Sequence, residues 1–94
     1  MKVNINWPGT PVTAILRAHV EQQVGLALGR FGDGIGAVMV RFSSRAGESN
    51  CEINVALRVR EVRVEHAHAD PLRAVDHAAA RLSERVALAI DGAH

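Results

Sequence analysis

The sequence predicts an α+β domain with the element order β-α-β-β-β-α and a four-stranded mixed sheet that carries both helices on one face. Residues 51–59 and 61–69 alternate between polar and apolar side chains and lead directly into a helix start at Asp70 and Pro71. In the first half of the chain, apolar residues at helical spacing lie between two further strand patterns. This order predicts a parallel strand pair joined by a crossover helix. Because each strand has one apolar face, we expect both helices to cover the same side of the sheet.

Size and composition favour one small domain with an aliphatic core. The chain has 94 residues, 48% of them hydrophobic, so we expect a single domain over residues 1–94. Trp7, Phe31 and Phe42 are its only aromatic residues, which argues against the stacking platforms that bind single-stranded nucleic acids. The net charge of +1 gives no general attraction to a polyanion, so a nucleic-acid surface would require an uneven distribution of charge.

Cysteine usage and hydropathy indicate a cytoplasmic protein. Cys51 is the only cysteine, which excludes an internal disulfide and is typical of a reducing compartment. The first residues contain no apolar stretch of signal-peptide length, and no run of about 18 apolar residues occurs anywhere. We therefore expect no contact with a membrane.

The first half of the chain predicts a strand and a helix. Residues 2–6 alternate between polar and apolar side chains, which predicts strand one. Thr13 suits the N-cap of helix one, which we expect to end at Gly32. The apolar stripe of this helix consists of Leu16, Val20, Val24, Ala27 and Phe31. Gly25 and Gly29 lie inside the predicted helix, and each costs up to about 1 kcal/mol relative to alanine, so we expect close packing or fraying there.

The segment that follows helix one predicts a turn, a strand and a long connector. Residues 32–36 are glycine-rich, but they follow a helix and precede a strand, which is the reverse of a dinucleotide-binding loop. We therefore interpret them as a helix end and a turn. Residues 37–43 alternate and predict strand two. Residues 43–50 are polar, and we expect them to form a long, mobile connector.

Strands three and four predict an antiparallel hairpin. A two-residue turn at positions 60 and 61 keeps the apolar faces of residues 51–59 and 61–69 continuous. The predicted cross-strand pairs are Val59 with Val62, Leu57 with Val64, Ile53 with His68 and Cys51 with Asp70. The opposite, polar face of the sheet is expected to carry Asn4, Asn6, Arg41, Glu52, Asn54, Arg58, Arg63 and Glu65.

Helix two has the clearest local signals in the chain. Asp70 suits its N-cap, and Pro71 suits its first position because a proline there loses no hydrogen bond. Its apolar residues are Leu72, Val75, Ala79, Leu82, Val86 and either Ala89 or Ile90. Gly92 is expected just beyond its end.

The histidines of strand four raise the question of a metal site. His66, His68 and Asp70 alternate toward one face, near Cys51 in the predicted register, and all four are zinc ligands by type. The same face should be covered by the helices, so we favour polar residues at the end of a buried face. We expect no metal and no cofactor.

Catalytic patterns are missing. Cys51 has no activating partner apart from His68, and the three serines at positions 43, 44 and 49 lie outside any nucleophile-elbow motif. We therefore expect that the chain is not an enzyme.

Several stretches resemble a known family, the ribosome hibernation-promoting factors, also called ribosome-associated inhibitors or sigma-54 modulation proteins. They are Val12-Thr13-Ala14-Ile15-Leu16-Arg17, Arg30-Phe31, Cys51-Glu52-Ile53-Asn54-Val55, Asp70, Ala74-Val75-Asp76-x-Ala78, Leu82 and Arg85. The resemblance extends over nearly the whole chain in element order and implies the short, single-domain form of the family.

The resemblance implies a factor that docks on the small ribosomal subunit, occupies the mRNA and tRNA channel near the decoding sites and silences translation when growth slows. Family members contact ribosomal RNA largely through Lys and Arg on the two helices. The positions that match in kind here are Arg17, Arg30, Arg81 and Arg85, with Arg73 as a nearby candidate. These arginines are expected to neutralise phosphates.

A protein-interaction module is the alternative. Where the family usually has lysines late in helix one, this chain has Gln22, Gln23, Gly25 and Gly29. Such a module would keep the fold without the RNA-binding face, and it would form a homodimer through the open sheet face or an edge strand. Arginines clustered on one surface would favour RNA. Arginines neutralised by glutamates would favour the module, and the candidate glutamates are Glu21, Glu52, Glu65 and Glu84.

Overall fold

A four-stranded mixed sheet carries two helices on one face, which confirms the predicted α+β class and element order. The computed structural model describes residues 2–58 and 60–91. The elements are β1 Val3–Asn6, α1 Ala14–Leu28, β2 Val38–Arg45, β3 Glu48–Ala56, β4 Glu61–His68 and α2 Pro71–Asp91. A 3₁₀ segment, Gly29–Gly34, follows α1 directly.

The strands lie side by side in the order in which they occur in the chain. β1 pairs with β2 in parallel, with Val3 opposite Val38 and Asn6 opposite Arg41. The β2–β3 and β3–β4 pairs are antiparallel. Because parallel neighbours cannot be joined by a tight hairpin, α1 makes the crossover between β1 and β2.

The core fills the space between the helices and one face of the sheet. The sheet contributes the buried side chains Val38, Val40, Phe42, Cys51, Ile53, Val55, Val62 and Val64. The helices contribute Leu16, Val20, Val24, Ala27, Leu28, Ala74, Val75, Ala78, Ala79, Leu82 and Val86. Trp7 packs on this core with its ring stacked on Phe42, the ring centroids 5.0 Å apart. Each large aliphatic side chain buried here stabilises the fold by about 1.5–3 kcal/mol.

Both predicted helix N-caps are present. The Thr13 hydroxyl oxygen accepts a hydrogen bond from the backbone N–H of Leu16 at 3.1 Å. The Asp70 carboxylate accepts one from the backbone N–H of Leu72 at 2.9 Å. Each cap satisfies a backbone donor that has no partner inside its helix.

The predicted end of helix one at Gly32 is wrong. The α-helix ends at Leu28, and the chain tightens into the 3₁₀ segment as far as Gly34. Gly32 has a φ of +56°, a conformation that L-residues with side chains rarely adopt, so it interrupts helical geometry instead of capping the α-helix. Gly92, expected just beyond helix two, lies outside the described residues.

The predicted long connector over residues 43–50 is also wrong. β2 continues to Arg45 and β3 begins at Glu48, so only Ala46 and Gly47 remain between them. Both have positive φ, 53° and 80°, as a two-residue type I′ hairpin turn requires. The polar side chains of this stretch therefore belong to paired strands.

The register of the β3–β4 hairpin differs from the predicted one by four residues. Val64 lies opposite Ile53, where Leu57 was expected. The remaining core-side pairs are Val55 with Val62, Cys51 with His66 and Ser49 with His68. The ladder ends at Ala56 opposite Glu61, and the N–H of Leu57 donates to the carbonyl of Arg60 at 2.8 Å in the same register. The turn therefore lies before Arg60 instead of at positions 60 and 61. Arg58 consequently lies in this turn instead of on the open sheet face, and Val59 lies outside the described residues.

The two helix-one glycines do not make the close contacts that the sequence suggested. A Cβ atom added at Gly25 or Gly29 would have no neighbour within 4 Å. Gly25 lies inside α1, and Gly29 begins the 3₁₀ segment. No packing contact within the described residues therefore requires a glycine at either position.

Two glycine substitutions should have opposite effects on stability. Gly47→Ala places a Cβ on a backbone with φ +80°, so we expect the free energy of unfolding to fall by about 1–2 kcal/mol. Gly25→Ala, in the open space of α1, should raise it by up to about 1 kcal/mol. Urea unfolding followed by circular dichroism measures both changes, and two changes of the same sign would contradict the assignment of the turn.

Leu82→Ala should be much more destabilising than Leu88→Ala, although both lie in α2. Leu82 is fully buried, so its truncation removes transfer energy and leaves a cavity, at a cost of about 2–5 kcal/mol. Leu88 is 62% exposed, and its truncation should change stability by less than about 0.5 kcal/mol. The midpoints of urea unfolding compare them, and equal losses would show that α2 does not pack on the sheet through Leu82.

Candidate nucleic-acid interface

Three of the candidate arginines lie on exposed positions of α2. Arg73, Arg81 and Arg85 are spaced by multiples of four residues, with His77 in the same series, so they form one stripe along the helix. The ring of His77 lies 4.6 Å from that of His66 in β4. This side of α2 therefore runs along the outer strand of the sheet.

Near the C-terminal half of α2, the arginine stripe of this helix continues onto the edge of the sheet. Arg85 lines a shallow groove together with Arg60, Glu61 and Arg63. Three guanidinium groups and one carboxylate thus border the same depression. The resulting local charge is positive, although the whole chain is close to neutral.

Arg30 connects the end of α1 with α2. It belongs to the 3₁₀ segment, and its guanidinium donates a hydrogen bond to the hydroxyl oxygen of Ser83 in α2 at 3.3 Å. Its Cζ atom also lies 4.6 Å from the ring centroid of Phe31, a cation–π distance. Arg30 is therefore held beside α2, on the side that faces α1.

Arg17 is separate from the other four. It precedes His19 by two residues, which corresponds to about 200° around a helix. His19 faces α2, where its Nε2 atom lies 2.6 Å from a carboxylate oxygen of Asp76. Arg17 therefore projects from the side of α1 that is remote from α2.

None of the five arginines forms an ion pair within residues 2–58 and 60–91. The two ion pairs found there are His19 with Asp76, at 2.6 Å, and Arg63 with Glu52, at 3.5 Å. Glu21 and Glu84, which the sequence offers as helix-spaced partners for arginines, are not engaged in this way. The helix guanidinium groups are therefore available to an external anion.

The open face of the sheet has a different charge balance. Alternation along β2, β3 and β4 places three arginines and four glutamates there: Arg41, Arg45, Arg63, Glu48, Glu52, Glu61 and Glu65. Glu52 accepts from the side-chain amide of Asn54 at 3.0 Å as well as pairing with Arg63. Opposite charges are interspersed on this face, which makes it a poor surface for a polyanion.

The predicted grouping of Cys51, His66, His68 and Asp70 does not form. Cys51 lies opposite His66 instead of Asp70, and its burial raises the pKa of the thiol to about 12. Asp70 is engaged at the helix start: its N–H donates to Nδ1 of His68 at 2.9 Å, and its carboxylate caps α2. Within the described parts of the chain, no group of three or more His, Cys, Asp or Glu side chains has a metal-binding arrangement.

The structure also reveals two relationships that the sequence analysis missed, namely the contact of His77 with β4 and the link from Arg30 to Ser83. The four-residue spacing of Arg73, His77, Arg81 and Arg85 predicts that they share one side of α2, but it does not identify β4 as the neighbour of that side. The second joins residues 53 positions apart and had no local signal.

No helix in the described part of the chain is long and apolar enough to cross a membrane.

Solved structures similar to this chain share its whole architecture. The Protein Y N-terminal domain of Thermus thermophilus is 31% identical, with a TM-score of 0.77, and the match covers 89% of this chain and 91% of that one. A ribosomal subunit interface protein of Coxiella burnetii has a TM-score of 0.86 at 17% identity, with 97% and 99% covered, a similarity of fold. A comparison with curated proteins gives no match.

A family model agrees with the resemblance seen in the sequence. The model described as sigma 54 modulation protein / S30EA ribosomal protein matches residues 3–88, which include every strand and most of α2. The family is non-enzymatic, in agreement with the expectation that this chain is not an enzyme. The chain therefore belongs to the sigma-54 modulation protein / S30EA ribosomal protein family.

Proposed function

We propose that this chain is a ribosome-associated hibernation factor that binds RNA of the small subunit near the decoding channel and thereby silences translation. Membership of the family supports the association with ribosomes. The names of the two similar structures, a ribosomal subunit interface protein and a Protein Y domain, agree with it. A cytoplasmic location follows from this function.

The observation that carries the proposal is that the arginines on the two sides of the molecule have different charges around them. On the sheet side, Arg63 is paired with Glu52 at 3.5 Å. On the helix side, Arg81 and Arg85 have no such partner in the described residues. Arg41 and Arg45, also on the sheet side, each lie opposite a glutamate of β3. RNA that approached α2 would instead meet guanidinium groups that have no ion-pair partner among the described residues.

The mechanism is phosphate neutralisation by α2 and its neighbour Arg30. Each guanidinium that binds a phosphate releases condensed counterions, which makes affinity salt-dependent and largely independent of sequence. A domain seated in this way would block the channel by occupying it, because it needs no reaction to exclude other ligands. Arg17, remote from α2, would contribute only if the RNA also reached the outer side of α1.

The protein-interaction module remains the second candidate because α1 exposes two large apolar side chains. Ile15 is 74% exposed and Leu26 is 73% exposed. A stable interface buries about 800 Å² on each partner, which two side chains do not supply. The predicted homodimer through the open sheet face or an edge strand also stays a prediction, and the mixed charges of that face give it no apolar core.

Neutralising two helix arginines should weaken ribosome binding and lower its dependence on salt. We expect Arg81→Gln with Arg85→Gln to reduce co-sedimentation with small ribosomal subunits by at least about tenfold at low salt. The slope of log affinity against log salt should become smaller by about 2, one unit for each lost phosphate contact. Sedimentation at several salt concentrations measures both quantities.

A matched control removes two arginines from the sheet side. Arg41→Gln with Arg45→Gln changes the net charge by the same amount but lies on the face where charges are mixed. This variant should bind subunits with nearly the affinity and slope of the unmodified chain. Absence of binding at low salt, or equal losses in both double variants, would refute RNA recognition by α2.

A further inference from the structure

Three histidines from β4 and α2 form one cluster at the edge of the molecule. The ring centroid of His77 lies 4.6 Å from that of His66 and 6.0 Å from that of His68. His77 is exposed, whereas His66 and His68 are half-buried. The cluster adjoins the stripe on α2 because Arg73 and Arg81 are each four residues from His77.

The surroundings of the cluster are mainly cationic. Burial lowers the pKa of His66, and the neighbouring charges of His77, His68 and Arg81 lower it further. Glu48 acts in the opposite direction, but the sum remains a lowered pKa. Across the strands, His66 faces the thiol of Cys51, which burial keeps uncharged.

The remaining neighbours form no ion pair with the cluster within the described residues. His68 lies opposite the uncharged Ser49, and its Nδ1 atom accepts the N–H of Asp70 at 2.9 Å. The ion pairs of the described residues, His19 with Asp76 and Arg63 with Glu52, do not include any group of the cluster. Glu48 is the one carboxylate that acts on His66, so positive charge that develops on the three histidines on acidification would be balanced only in part by the described residues.

We propose that His66, His77 and Arg81 form a phosphate-binding site that becomes stronger as the solution becomes more acidic. The site rests on the proposed function in that its ligand is the RNA backbone, which Arg81 contacts at every pH. Phosphodiester oxygens supply the missing negative charge. Ribosome binding by this chain would then be tighter in an acidified cell.

Linkage fixes the sign of the effect. A bound phosphate favours the imidazolium forms and raises the pKa of the histidines, so binding takes up protons and strengthens as the pH falls. Each histidine whose pKa rises by one unit contributes up to about tenfold in affinity. Arg81 cannot produce this effect because a guanidinium stays charged across the whole range.

Calorimetric titration of the chain with a short RNA duplex tests this site. At constant ionic strength, affinity should rise by about tenfold or more between pH 7.5 and pH 5.5. Buffers of different ionisation enthalpy should reveal proton uptake on binding. His77→Gln, an exposed substitution that should not disturb the fold, should reduce both effects. His19→Gln, which changes a histidine of α1 that contacts Asp76 outside the cluster, should leave them unchanged.

Two further measurements complete the test. The lowered pKa of His66 means that stability falls as the pH drops below the unfolded value of 6.5, so circular dichroism at each pH verifies that the chain is folded. A parallel titration with inorganic phosphate separates a site for the free anion from one that requires the RNA backbone. Tight binding of inorganic phosphate, equal to that of RNA, would refute the assignment of the backbone as ligand.

The proposal fails if the duplex does not bind at pH 5.5, if binding takes up no protons, or if His77→Gln and the unmodified chain share one pH dependence. Sedimentation with small subunits at pH 7.5 distinguishes this failure from failure of the proposed function. A chain that sediments with subunits but shows no pH effect would lack only the acid-strengthened site. A chain that binds the duplex with proton uptake but ignores subunits would have the site without the ribosomal role.

Discussion

All four strands bury the same face, and this constraint determines where every charged group can lie. Phe42 and Ile53 are fully buried beneath the helices, and the same face of β1 and β4 adjoins them. Two helices on one side shield that apolar surface, while the other side of the sheet meets solvent. The charges are thereby divided into two populations, one on helix surfaces and one on a pleated face, with different opportunities for pairing.

The sequence was sufficient to predict which face of the sheet each strand residue occupies. It was insufficient to predict which residues of β3 and β4 lie opposite each other. Alternation assigns each residue to a side, and any shift by an even number of residues preserves that assignment. Leu57 was expected opposite Val64, where Ile53 lies, a shift of four residues. The inward-facing positions Ile53, Val55, Val62 and Val64 were therefore predicted correctly, while the grouping of Cys51 with Asp70, which depended on register, was wrong.

Turns were the other limit of prediction, because their signals were weak or misleading. In the β2–β3 hairpin only Gly47 is a typical residue for a type I′ turn, and Ala46 adopts a φ of 53° that alanine rarely occupies. The ladder from Val38 to Arg45 outweighs that local cost by pairing every residue with β3. The pairing of the two whole strands determines the turn here, and this pairing cannot be predicted from the two turn residues alone.

The candidate site was predictable as a set of residues but not as an electrostatic surface. Sequence spacing offered Glu21 and Glu84 as partners for helix arginines, yet a pair between two long, exposed side chains gains little because it orders both of them. On the sheet, the ladder already holds Glu52 diagonal to Arg63, and the pair forms. Screening limits the reach of each charge to about 10 Å, so a nearly neutral chain can still present a locally cationic surface on the helix side to an approaching phosphate.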